Sequence, residues 1–224
     1  MLATGIGTSI PRRSLNLIEE INHRVLNEYT EAIASLSVAA ARSRHSATRS
    51  EIANVADRLR EHAELHRVLS PPREGSEVNI AEYLGQICLK FSTAMLAQRG
   101  IFLVLDTADH LMAGETCWRI GLVVAELIRN AARHGLRDSG GEIFVQVTHE
   151  GGELRCLVRD TGRPPLNPAA GRGQSVIAGL VQELGGSAEW SFGPEGCAVL
   201  TRFPSMALLR SGPQQDLETI AGAL

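Results

Sequence analysis

Aromatic residues are scarce in this 224-residue chain, with five Phe, two Tyr and two Trp. So few rings exclude a platform on which successive bases could stack. An excess of one charge is missing too: 22 basic and 25 acidic residues leave a net charge of −3, so nothing argues for a nucleic-acid surface. No apolar run approaches the ~20 residues of a membrane span. Met1 to Pro11 lacks the layout of a signal peptide, because Arg12 and Arg13 follow its mildly apolar stretch instead of preceding it. Four cysteines (Cys88, Cys117, Cys156 and Cys197) have no C-x-x-C spacing, which excludes a zinc knuckle and a disulfide framework and reads as reduced thiols in a cytoplasmic protein. What is present is ordinary globular material, 44% hydrophobic and 21% charged, long enough for one large domain or two small ones.

The chain divides near Ser70-Pro71-Pro72-Arg73-Glu74-Gly75-Ser76, where two prolines and a glycine stop a helix. Before it, Leu15, Ile18, Asn22, Val25, Tyr29, Ile33 and Leu36 recur at three and four, an amphipathic helix. A polar turn over Arg42 to Arg49 follows, and Thr48-x-x-Glu51 reads as a capping box opening a second helix, with Ile52, Val55, Leu59, Ala63, His66 and Leu69 as its stripe. Two stripes alone bury little, so the hairpin is expected to pair with a second copy as a homodimeric four-helix bundle. The expected division is a tail over 1–14, the hairpin over 15–70, a linker over 71–77, an α/β region over 78–204 and a C-terminal tail over 205–224.

Past the linker the pattern alternates. Helices are expected over Asn79 to Gln98, Glu115 to His134 and Val176 to Leu184, the last ended by Gly185-Gly186. Strands are expected over Ile101 to Leu105, Glu142 to Thr148, Glu153 to Val158, Ala188 to Phe192 and Ala198 to Phe203, with Gly151-Gly152 joining the second and third as a hairpin. The fold class is α+β, a sandwich of a mixed sheet with helices on one face.

Four constellations carry chemistry. Within Glu126-Leu127-Ile128-Arg129-Asn130-Ala131-Ala132-Arg133-His134-Gly135, the polar Glu126, Asn130, Arg133 and His134 share a stripe of an otherwise apolar helix. A buried carboxylate beside a buried amide is costly without a partner, so the stripe suits a pocket, and hard oxygen donors suit Mg2+ with phosphates. Arg159-Asp160-Thr161-Gly162 ends an apolar strand and leaves a carboxylate able to accept from an exocyclic amine such as adenine's, although Asp-x-Gly alone is also a common turn. Gly171-Arg172-Gly173-Gln174-Ser175 runs into a helix, where glycine backbone and free N–H groups can approach phosphate. On the first helix, His23 lies about 140° round from Ile18 at ~100° per residue, off the apolar stripe, with Glu19 one turn before it and Asn27 one turn after. A solvated imidazole with a carboxylate one turn away can be held in one tautomer as a nucleophile.

The ordered set Glu-x-x-x-Asn, Asp-x-Gly and Gly-x-Gly resembles the ATP-binding domain shared by gyrase-type ATPases, Hsp90, histidine kinases and MutL, the Bergerat fold. Leu17-Ile18-Glu19-Glu20-Ile21-Asn22-His23-Arg24-Val25-Leu26-Asn27 resembles the phosphoacceptor box of sensor histidine kinases related to the HWE group, and the likeness extends over about residues 15 to 204. The resemblance implies ATP and Mg2+ as cofactors. It implies His23 as the phosphorylated residue, with Arg24 and Asn27 beside the phosphoryl group and Glu19 as a candidate base. Asn130 would ligate Mg2+, Glu126 would orient it or a reacting group, and Arg133 and His134 would flank the nucleotide. Asp160 would read adenine, Gly162 would shape its pocket, and Gly171 and Gly173 would form the phosphate lid. The partner implied is a response-regulator receiver domain.

The chain departs from the family at Leu26, where a lysine is common, and at Glu28, where a second asparagine is common. Pro164 stands where the adenine motif has its second glycine, and ten residues separate Asp160 from Gly171, a very short lid. Only about fourteen residues precede the first helix, so the expectation is either that a separate protein supplies the signal or that the protein is an intermediate in a phosphorelay. Three functions compete: a histidine kinase that autophosphorylates from ATP, a relay phosphotransferase or pseudokinase with a degenerate nucleotide site, and a serine kinase antagonising a sigma factor. The His23 hairpin argues against the third.

Overall fold

The computed structural model describes residues 12–73, 75–137, 140–163 and 172–204, the side chains of 12–19 and 172 excepted. Helix α1 (Arg12–Arg42) and helix α2 (Ser46–Val68) form the hairpin. The turn is shorter than the polar composition suggests. Arg49 N–H donates to the His45 carbonyl at 3.0 Å, so Thr48 and Glu51 lie inside α2, and His45 occupies the cap position with no side-chain cap. The expected capping box is therefore corrected: Ser46 and Ala47 join the first turn, which leaves Thr48 no free N–H to cap.

The hairpin buries little. Of its described residues only Ala40, Ala56, Ala63 and Leu65 are buried, whereas Ile21, Val38 and Val55 are 50%, 50% and 37% exposed. The two helices lie along each other, and polar and aromatic contacts cross between them: Arg60 Nη2 donates to Ser37 Oγ at 3.3 Å, and the Tyr29 and His66 rings stand 5.6 Å apart.

The α/β region opens with β1 (Glu77–Asn79), which pairs antiparallel with β3 (Leu111–Ala113). At three residues each, neither strand produces a readable alternation. Between them, Asn79 caps α3 (Ile80–Phe91) by accepting from Ala81 N–H at 3.0 Å. The helix then loosens into a π-helical turn, Ser92–Leu96, and a 3-10 turn, Ala97–Arg99, that Gly100 ends at φ 65°. Strand β2 (Ile101–Thr107) follows. After β3 come α4 (Gly114–Asn130), the hairpin β4 (Gly141–Glu150) and β5 (Glu153–Asp160), α5 (Arg172–Glu183), and the closing pair β6 (Ser187–Gly193) and β7 (Gly196–Pro204).

The five-stranded sheet has the order β2-β4-β5-β7-β6. It is mixed: β2 runs parallel to β4 and the other three pairings are antiparallel. The α+β class expected from the sequence is thus the one observed. Alternation sets the core: Ile143, Val145 and Val147 on β4 and Leu154, Cys156 and Val158 on β5 are buried with Ile80, Leu84 and Ile87 of α3 and Ile177 and Val181 of α5. Helix α4 contributes Ile120, Val123, Val124, Leu127 and Ile128, each worth roughly 1.5–3 kcal/mol of apolar burial. That burial fixes the axis on which Glu126 and Asn130 are mounted. The hairpin is tied on by Trp118 Nε1, which donates to the Leu69 carbonyl at 2.9 Å, and by Thr93 Oγ1, which donates to Glu61 at 3.0 Å. Among the described residues no helix is long and apolar enough to cross a membrane.

Candidate nucleotide site and phosphoacceptor helix

Glu126 and Asn130 lie at the end of α4 on its partly open side. The Glu126 side chain is 20% exposed and pairs with Arg129 at 2.5 Å. The Arg129 guanidinium also stands 6.0 Å from the Phe91 ring centroid. After Asn130 the helix widens into a π-helical turn, Ala131–Gly135, with Leu136 N–H donating to the Ala131 carbonyl at 2.9 Å. Such turns recur at functional sites because they re-aim the residues beyond them. Here the turn brings Gly135 against the strand end that carries Asp160.

That contact is built from glycines. A Cβ on Gly135 would lie 2.4 Å from Asp160 Oδ1, one on Gly162 would lie 2.1 Å from the Gly135 carbonyl oxygen, and one on Gly196 would lie 2.0 Å from the Asp160 carbonyl oxygen. Three backbones therefore close round one buried carboxylate. Gly162 N–H donates to Asp160 Oδ1 at 2.9 Å, and Arg163 N–H donates to the Gly135 carbonyl at 3.0 Å. Burial raises the Asp160 pKa above the ordinary aspartate value, opposed by backbone N–H donation from Gly162 and Cys197. Burial, then the Asp160 charge, pushes the Cys197 thiol up to about 11.

Gly173, on the first turn of α5, completes the cluster. A Cβ there would fall 2.6 Å from Glu126 Oε1 and 3.0 and 3.1 Å from the Asn130 amide atoms. The start of α5 thus lies directly over Glu126 and Asn130, with its free N–H groups in the same place. Gly171 and Pro164 lie outside the described residues. Arg133 and His134 are exposed, because the π-helical turn replaces the three-and-four spacing that would keep them beside Asn130.

Arg99 is a member of this region that sequence reasoning missed. Its Nη2 donates to the carbonyls of Ala132, Leu136 and Arg137 at 2.8, 2.9 and 3.2 Å. A guanidinium there satisfies helix-end carbonyls and holds the turn that presents Gly135. Gly196 and Cys197 were missed for the same reason: their contacts with Asp160 span 36 and 37 residues of chain and leave no local pattern.

On α1, His23, Arg24 and Asn27 are exposed, Leu26 is half-buried and Glu28 is exposed. Arg24 is paired with Glu20 at 2.7 Å. Glu19 is on the helix, and its side chain lies outside the described set. Among the described residues no hydrogen bond or ion pair joins His23 to the Glu126–Asn130 cluster. The structure sets Gly173 against Glu126 and Asn130, packs Gly135 and Gly162 round Asp160, leaves Arg133 and His134 exposed, and places His23 on a water-facing surface of α1.

Two family models adjoin and together cover residues 20–202. One described as "Histidine kinase" matches residues 20–95, and one described as "Histidine kinase-like ATPase domain" matches residues 95–202. The chain belongs to the histidine kinase family. Its fold is similar to that of the histidine kinase domain from the Erythrobacter litoralis EL346 blue-light activated histidine kinase, with a TM-score of 0.58 and 20% identity over 83% of this chain and 100% of that one. A larger structure of the same EL346 kinase gives a TM-score of 0.53 and 21% identity over 90% of this chain and 63% of that one. A bacterial phosphotransferase is also similar, with a TM-score of 0.60 and 10% identity over 88% of this chain and 100% of that one. At these identities the solved structures speak for the fold. No curated protein matches the chain.

Proposed function

We propose that this family member is a histidine kinase that binds ATP with Mg2+, phosphorylates His23, and passes the phosphoryl group to an aspartate of a response-regulator receiver domain. The observation that carries the proposal is the seat of Gly173 on Glu126 and Asn130. A glycine backbone pressed on a carboxylate and an amide, at a helix start, is a cradle that any side chain would fill. The donor set fits the implied group: carboxylate and amide oxygens are hard ligands of the kind Mg2+ takes, with phosphates supplying the rest. The buried Asp160 carboxylate, walled by Gly135 and Gly162, fits an exocyclic amine.

Bound Mg2+ and ATP would supply the phosphoryl group and neutralise charge developing during transfer. The chain's own residues position. Asn130 would hold the metal, and Glu126, steadied by Arg129, would orient it or a group at the reacting phosphate. Asp160 and Gly162 would fix the base, while Gly171 and Gly173 would cover the phosphates. Arg133 and His134 would guard the open rim. On the other module, Glu19 would hold the His23 imidazole in one tautomer, and Arg24 and Asn27 would meet the incoming phosphoryl group. We assign 15–70 to dimerisation and phosphotransfer, 71–77 to the linker and 78–204 to nucleotide binding. The exposed Ile21, Val38 and Val55 support a second copy of the hairpin as their cover. The fitting setting is the cytoplasm.

One observation favours a second reading. The likeness to the bacterial phosphotransferase runs over 88% of this chain and the whole of that one, at a TM-score of 0.60. With the short lid and Pro164, it supports a relay in which His23 shuttles phosphoryl groups between receivers and the second domain serves as a docking surface. Incubation with γ-labelled ATP and Mg2+, beside a His23→Ala variant, separates the two. The kinase reading expects acid-labile, alkali-stable label on the wild type alone. Absence of label, with His23 still accepting phosphoryl from a phosphorylated receiver, would replace it with the relay.

A further inference from the structure

The helices of the α/β region pack on one face of the five-stranded sheet, and the alternate residues of each strand point to the other. That outer face carries an apolar patch across four adjoining strands. Phe102 and Val104 of the edge strand β2 are 69% and 43% exposed. Val104 lies opposite Phe144 of β4, and Leu157 of β5 lies opposite Leu200 of β7. Phe144, Leu157 and Leu200 are half-buried. One cation stands in the patch: the Arg159 guanidinium lies 4.0 Å from the Phe144 ring centroid.

Most charges round the patch already have partners. Arg202 pairs with Glu189 at 2.7 Å, Arg155 lies 3.5 Å from Glu150 and 3.7 Å from Glu153, and Asp106 accepts from Gln146 at 2.8 Å. Glu142 lies opposite Phe102 at the end of the patch. Arg159 forms no ion pair among the described residues. A contiguous exposed apolar patch marks a contact surface. With an unpaired guanidinium inside it, the surface fits a cover that is apolar along one stripe and acidic at the borders of that stripe.

The chain carries such a sequence itself. Residues 205–224 lie outside the described set and follow directly on β7. In Asp216-Leu217-Glu218-Thr219-Ile220-Ala221-Gly222-Ala223-Leu224, the apolar Leu217, Ile220, Ala221 and Leu224 recur at three and four, the spacing of one helix face. At ~100° per residue Asp216 and Glu218 fall on the two borders of that stripe. Acidic residues at a helix start also complement its dipole. The twelve residues 205–216 separate Pro204 from Leu217. At ~3.3 Å each they reach up to about 40 Å. Three strand spacings, roughly 14 Å, separate β7 from β2, and nine helical residues are about 13 Å long. We propose that residues 216–224 dock on the outer face of the sheet as an amphipathic helix. Leu217, Ile220 and Leu224 cover Phe102, Val104 and Phe144, and Glu218 pairs with Arg159. A helix this short is marginal in water, so it forms on contact with the sheet. The inference needs neither reading of His23, because the outer face lies on the reverse of the strand that carries Asp160.

Hydrogen exchange of the full chain, read by mass spectrometry, tests this. The amides of 217–224 should exchange about tenfold or more slowly than in a synthetic peptide of residues 214–224. Phe102→Ser and Arg159→Glu change exposed side chains, so each should speed exchange of the tail about fivefold or more while β5 keeps its protection. Adding Glu218→Arg to the Arg159→Glu chain should restore the slow exchange, which a general loosening of the sheet would not allow. Tail amides that exchange at the peptide rate, or protection that both face variants leave unchanged, would overturn the proposal. Protection lost on dilution would overturn it in favour of a second copy's tail as the cover.

Discussion

The hairpin and the α/β region treat their apolar residues in opposite ways. In α4 alone Ile120, Val123, Val124, Leu127 and Ile128 are buried, whereas the described part of the two longer hairpin helices buries three alanines and one leucine. The proposed chemistry divides along the same line. His23 stands on a water-facing helix surface, and Asp160 is enclosed by three glycine backbones. A phosphoacceptor has to be reached by more than one partner, so it belongs on an exposed helix that little else holds. A nucleotide pocket has to exclude water and hold geometry, so it belongs where long-range packing is densest.

The largest expected effect that would break this contrast is at His23. His23→Gln should abolish phosphoryl acceptance altogether while leaving the melting temperature within about a degree, as for other exposed sites. Phosphate-affinity gel shifts and a thermal melt measure both. If the variant melts much earlier, the helix surface at His23 is structural instead of chemical. Next in size is the hairpin's uncovered stripe. Val38→Asp, at a position 50% exposed in one chain, should raise the dimer dissociation constant by about tenfold or more, read by sedimentation velocity. An unchanged dimer would move the interface elsewhere.

Gly162→Ala probes the other side of the comparison. Its Cβ would meet the Gly135 carbonyl oxygen at 2.1 Å, which is backbone and cannot turn aside. Urea unfolding should show a loss of about 2–3 kcal/mol. The smallest effect lies at the seam. Burial, then Arg129 and His62, lowers the His66 pKa from 6.5, so the unfolded chain takes up the proton more readily than the folded one. Stability should be full above about pH 6.5 and fall as the pH drops toward the folded value. His66→Gln should flatten that slope in melts between about pH 7 and pH 5. Equal slopes would separate His66 from Arg129.

Reading the sequence reaches those elements and positions that near neighbours along the chain define. The α1 stripe, the off-stripe His23 and the order Glu126, Asn130, Asp160, Gly162, Gly173 are all visible as spacing. It failed where one residue's meaning lies far along the chain. Gly135 is a small residue at a helix end until the π-helical turn sets it on Asp160, 25 residues later. Arg99 is one more exposed cation until its 3-10 turn meets the chain leaving α4 and three helix-end carbonyls face it. Strands β1 and β3 were silent because three residues carry no period. The misplaced start of α2 had the opposite cause: Thr48 and Glu51 made a persuasive local signal that the backbone did not use.

The claim that the glycine-lined cluster is a nucleotide site rests most directly on Asn130. Calorimetric titration of the full chain with a non-hydrolysable ATP analogue, with and without Mg2+, tests it. The account predicts Mg2+-dependent binding that Asn130→Ala weakens by about a hundredfold, since the substitution removes a metal ligand without touching the core. Binding that ignores both Mg2+ and Asn130, or no binding by the wild type, would contradict it.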